Sequence, residues 1–228
     1  SIGACYYLSK LSSKPLKNVY LGYNLSEDFN SVDLSIKFKK NKYKITKEVT
    51  PNYIAKLLKD GKIIAIARGR EEFGARALGN RSIIANPKKL DCVKEINEAI
   101  KNRDFWMPFA LSILKEKQKY SIINKKRISS PFMTIGFDVN AKNFKFLKNG
   151  CHQYDKTVRP QIVDKKFCPE FHKLINEFYK LTKVPALLNT SFNLHGKPIV
   201  HNLNDAIQTF NNCELKFLLF NNLLIEKN

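Results

Sequence analysis

The 228-residue chain carries seven arginines among forty basic side chains, and lysine supplies the rest. Four of the seven, Arg68, Arg70, Arg76 and Arg81, fall within residues 68–82, together with Gly69, Gly74 and Gly79. Arginine offers a planar fork that matches phosphate or carboxylate, which a lysine cannot reproduce. Glycine lets backbone N–H groups approach a ligand closely. The stretch therefore reads as an anion site, with Asn80 and Ser82 supplying hydrogen-bonding groups at its end. A plainer reading remains open, in which the arginines tie the loop together through Glu71 or Glu72.

Three further polar stretches follow or flank apolar runs. Residues 101–109 bring Lys101 and Arg103, and residues 152–161 bring His152, Asp155, Arg159 and Gln161. Residues 189–198 bring Asn189, Ser191 and Asn193, groups suited to phosphate and ribose hydroxyls. Open α/β sheets bind ligands at strand ends, although turns favour Asn and Ser for their own reasons. No G-x-x-x-x-G-K-[ST] or G-x-S-x-G motif occurs. Cations and amides outnumber candidate nucleophiles, which points to phosphoryl chemistry driven by positioning and charge stabilisation.

The elements that must hold these groups follow from pattern. Val19–Gly22 is expected as a short strand. Thr50 caps a helix with Pro51 in its first turn and Gly61 after its end. Residues 62–67 form a buried strand that feeds the arginine loop, and 83–85 form another. A helix is expected over 90–100, strands up to Leu114, over 132–139 and within 155–163, and an amphipathic helix over 169–183. Residues 141–150 read as a connecting segment. The buried strand 184–188 runs into the fourth polar stretch. A helix over 204–211 and strands near Leu215 and Leu223 close the chain. Interleaved helices and strands without a repeat predict one α/β domain. Residues 1–17, an apolar helix tail and a polar linker, form a lead-in to a domain over 18–228.

The net charge of +20 admits nucleic acid, an anionic surface or small polyanions as partners. Lysine is spread widely, dense at 37–44 and 115–127, and asparagine is also abundant, as biased genome composition produces. Aromatic residues do not interleave with basic ones as a stacking platform requires, so nucleic acid is the less favoured partner. No apolar run approaches the ~20 residues of a membrane span. Five cysteines at 5, 92, 151, 168 and 213 form no C-x-x-C pair, and four histidines form no metal-ligand pattern. No protein-held metal is expected, and a reducing cytoplasm fits.

The run Glu72-Phe-Gly-Ala-Arg-Ala-Leu-Gly-Asn-Arg-Ser-Ile, the pair Asn189-Thr-Ser-Phe-Asn and Gly196-Lys-Pro-Ile, and the Lys-x-Arg…Pro-Phe-Ala stretch at 101–110 resemble the C-terminal domain of the carbamoyltransferase family, which includes nodulation and antibiotic O-carbamoyltransferases. The resemblance runs over nearly the whole chain. Ala75 stands where the family usually has Pro, Arg68 where Gln is common, Leu111 where Pro is common, and Met107 where Arg often stands. The resemblance implies a YrdC-like twisted mixed sheet with flanking helices. It also implies carbamoyl phosphate and ATP as substrates, with carbamoyl adenylate and pyrophosphate as products. Mg²⁺ would be held by the phosphates. An N-terminal domain, actin-like and metal-binding, would then move the carbamoyl group to an acceptor hydroxyl; the opening Ser-Ile-Gly-Ala is similar to the junction with that domain. Within this frame Arg76 and Arg81 are expected to clamp carbamoyl or phosphate oxygens beside the backbone of Gly74 and Gly79. Lys101 and Arg103 are expected to neutralise the triphosphate. Arg159, Gln161, Asn189, Ser191 and Asn193, with Asn80 and Ser82, would bind substrate or nucleotide. Asp155 would orient Arg159 or reach a metal through water, and His152 would carry a proton or serve structure. The alternative is an RNA- or nucleotide-binding YrdC-like module without turnover.

Overall fold

Ile64, Ala65, Ile66 and Ala67 are all buried, on both faces of their strand, so β2 (Ile64–Ala67) lies inside a sheet rather than at its edge. The computed structural model describes residues 2–9, 16–29, 38, 41–104 and 107–228. Most of the expected linker at 10–17, most of residues 32–38 and residues 105–106 lie outside them. In spatial order the main sheet runs β1 (Tyr43–Thr46), β11 (Leu223–Lys227), β10 (Phe217–Phe220), β2, β3 (Arg81–Ala85), β9 (Ala186–Ser191), β4 (Ala110–Leu114) and β8 (Gln161–Val163). Two neighbouring pairs are parallel, β10 with β2 and β4 with β8, and the other neighbours are antiparallel. A small antiparallel sheet joins β5 (Ile122–Ile123), β6 (Phe137–Val139) and β7 (Thr157–Val158). The mixed α/β architecture is the expected one.

Helices pack beside the sheet. Besides α1 (Ile2–Ser9) at the start of the chain, α2 (Pro51–Lys59) begins as its sequence requires: the Thr50 hydroxyl accepts the Tyr53 N–H at 3.2 Å, and Pro51 fills the first turn. It buries Ile54, Ala55 and Leu58 beside α4 (Pro169–Thr182), which buries Phe171, Leu174, Ile175 and Phe178. The helix α5 (Leu203–Asn211) starts with a reciprocal Asn202–Asp205 capping box.

Four departures from the sequence expectation bear on the site. The helix expected over 90–100 is α3 (Cys92–Ile96) followed by a π-turn, Asn97–Lys101. The turn closes with Asn102 in the left-handed region at φ 44°, its N–H on the Asn97 carbonyl at 2.7 Å. The extra residue per turn rotates Lys101 inward until it is 2% exposed. β9 runs on through Asn189, Thr190 and Ser191, so these residues are strand rather than loop. Val19–Gly22 forms no strand. It lies along the arginine loop instead, with Gly22 N–H on Glu71 O, Phe73 N–H on Val19 O, and a single bridge from Asn24 to Arg70. Of the strand expected over 132–139 only Phe137–Val139 is regular, and the connecting segment 141–150 is three short helical turns.

Candidate functional site

The loop between β2 and β3, the π-turn, the β7–β8 region and the turn after β9 meet at one cavity of about 640 Å³. Arg76 enters it from the first, Lys101 and Arg103 from the second, His152, Asp155 and Arg159 from the third, and Asn193 and His195 from the fourth. Among the described residues Asp155 is the sole carboxylate on the lining. Cations crowd each other here. The Arg76 guanidinium is held below its ordinary range by burial and by Arg159, and Arg103 by burial and by Arg76. Arg103 also lies 5.3 Å from the centre of the Phe109 ring. Unpaired crowding of this kind is relieved by an anion. Met107, standing where the family often has Arg, lines the same cavity and adds no charge.

Lys101 is the most deeply set of these groups. Its ammonium donates to Asn193 Oδ1 at 2.6 Å, to Ser191 Oγ at 3.1 Å and to the Asn193 carbonyl at 3.3 Å. Ser191 Oγ donates in turn to Asn193 Oδ1 at 2.6 Å. Among the described residues no carboxylate faces the ammonium, and burial, then Arg103, lower its pKa from 10.5 to about 7. His195 fixes the backbone beneath it, Nδ1 lying 2.8 Å from the Lys101 carbonyl. Ser191 and Asn193, expected on the nucleotide, thus hold the lysine first, and Asn193 still borders the cavity.

The arginine loop is shaped from below by groups the sequence assigned to ligand. Asn189 Nδ2 donates to the Ala77 carbonyl at 3.1 Å and to Ser112 Oγ at 2.9 Å. Gln161 Nε2 donates to the Leu78 carbonyl at 2.8 Å and Gln161 Oε1 accepts from Ser112 Oγ at 2.7 Å. All three side chains are buried, and neither Gln161 nor Asn189 lines the cavity. Glu72 Oε1 accepts the N–H groups of Leu78, Asn80 and Arg81 at 2.6, 2.7 and 3.4 Å. Burial raises the Glu72 pKa while those bonds oppose it. Glu72 therefore organises the loop through backbone N–H groups, and its neighbour Glu71 pairs with His201 Nδ1 at 2.7 Å. Sequence reasoning missed Glu72, Ser112 and His195 as site-shaping residues, since Glu72 and His195 act here on main-chain atoms and the side-chain partners of Ser112 lie 49 and 77 residues away.

Arg81, expected as a second clamp, is placed otherwise. It is 0% exposed and donates to the carbonyls of Arg68 at 2.7 Å, His201 at 3.1 Å, Asn80 at 3.2 Å and Tyr23 at 3.3 Å. Those bonds consume the fork, and Arg81 ties the two ends of the loop to residues 23 and 201. Gly79, with φ +115°, packs where a Cβ would meet the Phe171 ring at 2.5 Å, and its N–H donates to Ser82 Oγ at 2.9 Å. Asn80 bridges Arg68 Nε and the Arg70 carbonyl. Gly79, Asn80 and Ser82 thus stand behind the loop, away from the cavity. Gly74 belongs to the exposed outer half of the loop but does not line the cavity.

His152 and Asp155 face each other, Nδ1 to Oδ1, at 3.1 Å. Asp155 Oδ1 also accepts the Thr157 N–H and hydroxyl, the Thr157 backbone bond being the main cause that lowers its pKa. Among the described residues no group of three His, Cys, Asp or Glu could hold a metal. No helix among the described residues is long and apolar enough to cross a membrane.

Known proteins resemble this chain in sequence or in fold. Over 99% of its length the chain is 39% identical to protein MJ1051 of Methanocaldococcus jannaschii, of which it covers 44%. It is 38% identical over 76% of its length to the nodulation protein NolNO of Sinorhizobium fredii, covering 25% of that protein. The chain thus spans less than half the length of these curated relatives. Full-length HypF, in a crystal structure of its phosphate- and nucleotide-bound form, superposes with a TM-score of 0.54 at 17% identity, over 82% of this chain and 22% of that one. That likeness carries the YrdC-like fold. The family model for the carbamoyltransferase C-terminus matches residues 55–227, and the chain belongs to that family.

Proposed function

We propose that this chain activates a carbamoyl group: it binds carbamoyl phosphate and ATP, the latter as its magnesium complex, and forms carbamoyl adenylate. The observation that carries the reading is the convergence of Arg76, Lys101, Arg103 and Arg159 on one cavity with a single carboxylate among the described residues of its wall. Its volume lies in the ordinary range for a small-molecule site, ~300–1,000 Å³. Water cleaves carbamoyl phosphate to carbamate and inorganic phosphate. A carbamate oxygen then attacks the α-phosphorus of ATP, and the bond to the β-phosphate oxygen breaks to release pyrophosphate. Two anions must meet in that step, so preorganised cations do most of the work. Arg76, on the exposed outer half of the loop, grips the carbamoyl or phosphate oxygens. Arg103 and Lys101 neutralise the triphosphate, and Arg159 closes the far side. Asp155 keeps His152 oriented at the rim.

An N-terminal domain, actin-like and metal-binding, would pass the carbamoyl group to an acceptor hydroxyl. A reducing cytoplasm is the proposed setting, in keeping with five unpaired cysteines. The test is pyrophosphate release by the isolated chain. Release from ATP that depends on added carbamoyl phosphate, with no acceptor carbamoylated, is the expected result. No release, together with a melting temperature raised by RNA and not by ATP, would select the nucleic-acid module instead.

A further inference from the structure

One step of the proposed reaction lacks a proton acceptor: water attacks well only when a base takes its proton. Among the described lining residues Arg76, Arg103 and Arg159 only donate, and the Lys101 ammonium is committed to Ser191 and Asn193. Asp155, its pKa lowered chiefly by the Thr157 backbone bond, is itself a poor base. Two imidazoles remain on that wall, His152 and His195, and their backing differs. His195 Nδ1 lies on the uncharged Lys101 carbonyl at 2.8 Å. His152 Nδ1 lies 3.1 Å from a carboxylate oxygen, Asp155 Oδ1, while the Asp155 N–H is the longer contact at 3.5 Å. A carboxylate holds the ring's own proton on Nδ1, leaves the lone pair on Nε2, and stabilises the imidazolium that forms when Nε2 takes a second proton. The pair is fixed by its own turn. Asp155 Oδ1 accepts the Thr157 N–H at 2.9 Å and the Thr157 hydroxyl at 2.8 Å. His152 N–H donates to the Thr157 carbonyl at 2.8 Å, and Lys156 N–H to the His152 carbonyl at 3.0 Å. Thr157 then enters β7, and Arg159 follows on the same wall.

We propose that His152 is the general base for the water that cleaves carbamoyl phosphate, with Asp155 as its positioning residue; this rests on the activation reading and adds a separable first half to it. Nε2 takes a proton from water as the water oxygen bonds to the carbonyl carbon. The carbonyl π electrons move onto oxygen, where the Arg76 guanidinium meets the charge. The tetrahedral intermediate then collapses. The bond from carbon to the bridging oxygen breaks, and the imidazolium returns its proton to the departing phosphate. The second proton of the water passes from carbamic acid to solvent, and carbamate goes on to ATP. The adenylation half needs no base, because its nucleophile is already an anion. His152 therefore serves the first half alone.

The test separates the two halves by supplying carbamate directly, as ammonium carbamate. Phosphate release from carbamoyl phosphate is read above its spontaneous rate, and pyrophosphate release from ATP is read with either carbamoyl source. His152→Ala is expected to lose ~10²–10⁴ in phosphate release, the usual worth of a positioned base. Its pyrophosphate release from ammonium carbamate should stay at the parent's rate. Added imidazole should restore part of the phosphate release, which a folding defect would not allow. Asp155→Asn should lose phosphate release in the same direction and keep the carbamate arm. In water of heavy oxygen the released phosphate is expected to stay unlabelled, since attack falls on carbon. Phosphate release at the parent's rate in His152→Ala would overturn the proposal. An equal loss in the carbamate arm would do the same, making His152 a binding or structural residue, and so would labelled phosphate. These three outcomes leave the activation reading standing. A parent chain that forms pyrophosphate from neither source would sink that reading and this proposal with it.

Discussion

The outer half of the 68–82 loop and its inner end are built from the same residue types and are used in opposite ways. At the outer half Arg76 and Gly74 are exposed, and a Cβ on Gly74 would meet nothing within 4 Å. At the inner end Arg81 is fully buried and a Cβ on Gly79 would strike Phe171. Arg81 opens β3 and pairs with Ala67, so the sheet itself carries it into the interior. There, the backbone carbonyls of Arg68, Tyr23 and His201 provide the acceptors. Arg76 lies five residues earlier, beyond the reach of any strand, and meets other cations instead. The lesson is that an arginine's affinity for oxygen is fixed by its chemistry, while the fold decides whether that oxygen belongs to the chain or to a ligand.

The sharpest way to break this contrast is to make the same change at both positions. Lysine keeps the charge and loses the fork. Arg76→Lys is expected to leave the melting temperature unchanged and to cut carbamoyl-phosphate-dependent pyrophosphate release by ~10²–10³, about 3–4 kcal/mol of transition-state stabilisation. Arg81→Lys should do the reverse. Two orphaned carbonyls at ~1–3 kcal/mol each give a loss of ~2–6 kcal/mol in denaturant unfolding. Arg127 does not line the cavity of Arg76, and Arg127→Lys should stay within about 0.5 kcal/mol. Equal losses of activity at Arg76 and Arg127 would remove Arg76 from the site.

The glycines extend the comparison. Gly74→Ala forces a side chain into the left-handed region, a strain of about 1–2 kcal/mol. Gly79→Ala adds the collision with Phe171 to the same backbone strain and should cost about 2–4 kcal/mol. Chemical denaturation of the two variants measures the difference. Equal losses would mean that the inner end of the loop is not packed as tightly as the 2.5 Å approach requires.

Much of this architecture is legible in the amino-acid sequence. The Thr50 cap with Pro51, the buried run at 64–67 and the amphipathic 169–182 segment are local signals, and the elements follow within a residue or two. The four polar stretches are visible as well, because cations and amides after apolar strands stand out in composition. What each member does is not visible. Gln161 and Asn189 look like ligand amides, yet their partners are main-chain carbonyls 83 and 112 residues away. No side-chain pattern encodes such a bond. The burial of Lys101 is equally hidden, since one extra residue in the last turn of a helix leaves no mark in hydrophobic periodicity.

Lys101 gives the smallest effect and the finest probe of the cavity. In the unfolded chain it stays cationic up to its ordinary 10.5, and in the folded chain only up to about 7. Between those values the unfolded state binds more protons, so this residue makes stability rise with pH across the window, and Lys101→Met should flatten the rise. An anion bound at Arg103 and Lys101 favours the ammonium and returns the proton. ATP binding at about pH 8 should therefore take up close to one proton, and its Kd should grow by at most about tenfold per pH unit above pH 7. Calorimetry in two buffers of different ionisation heat counts that proton. The same count in Lys101→Met is expected to fall to zero. A count of zero in the parent chain would mean that the triphosphate does not reach the lysine, and that Arg76, Arg103 and Arg159 at the cavity mouth carry the anion alone.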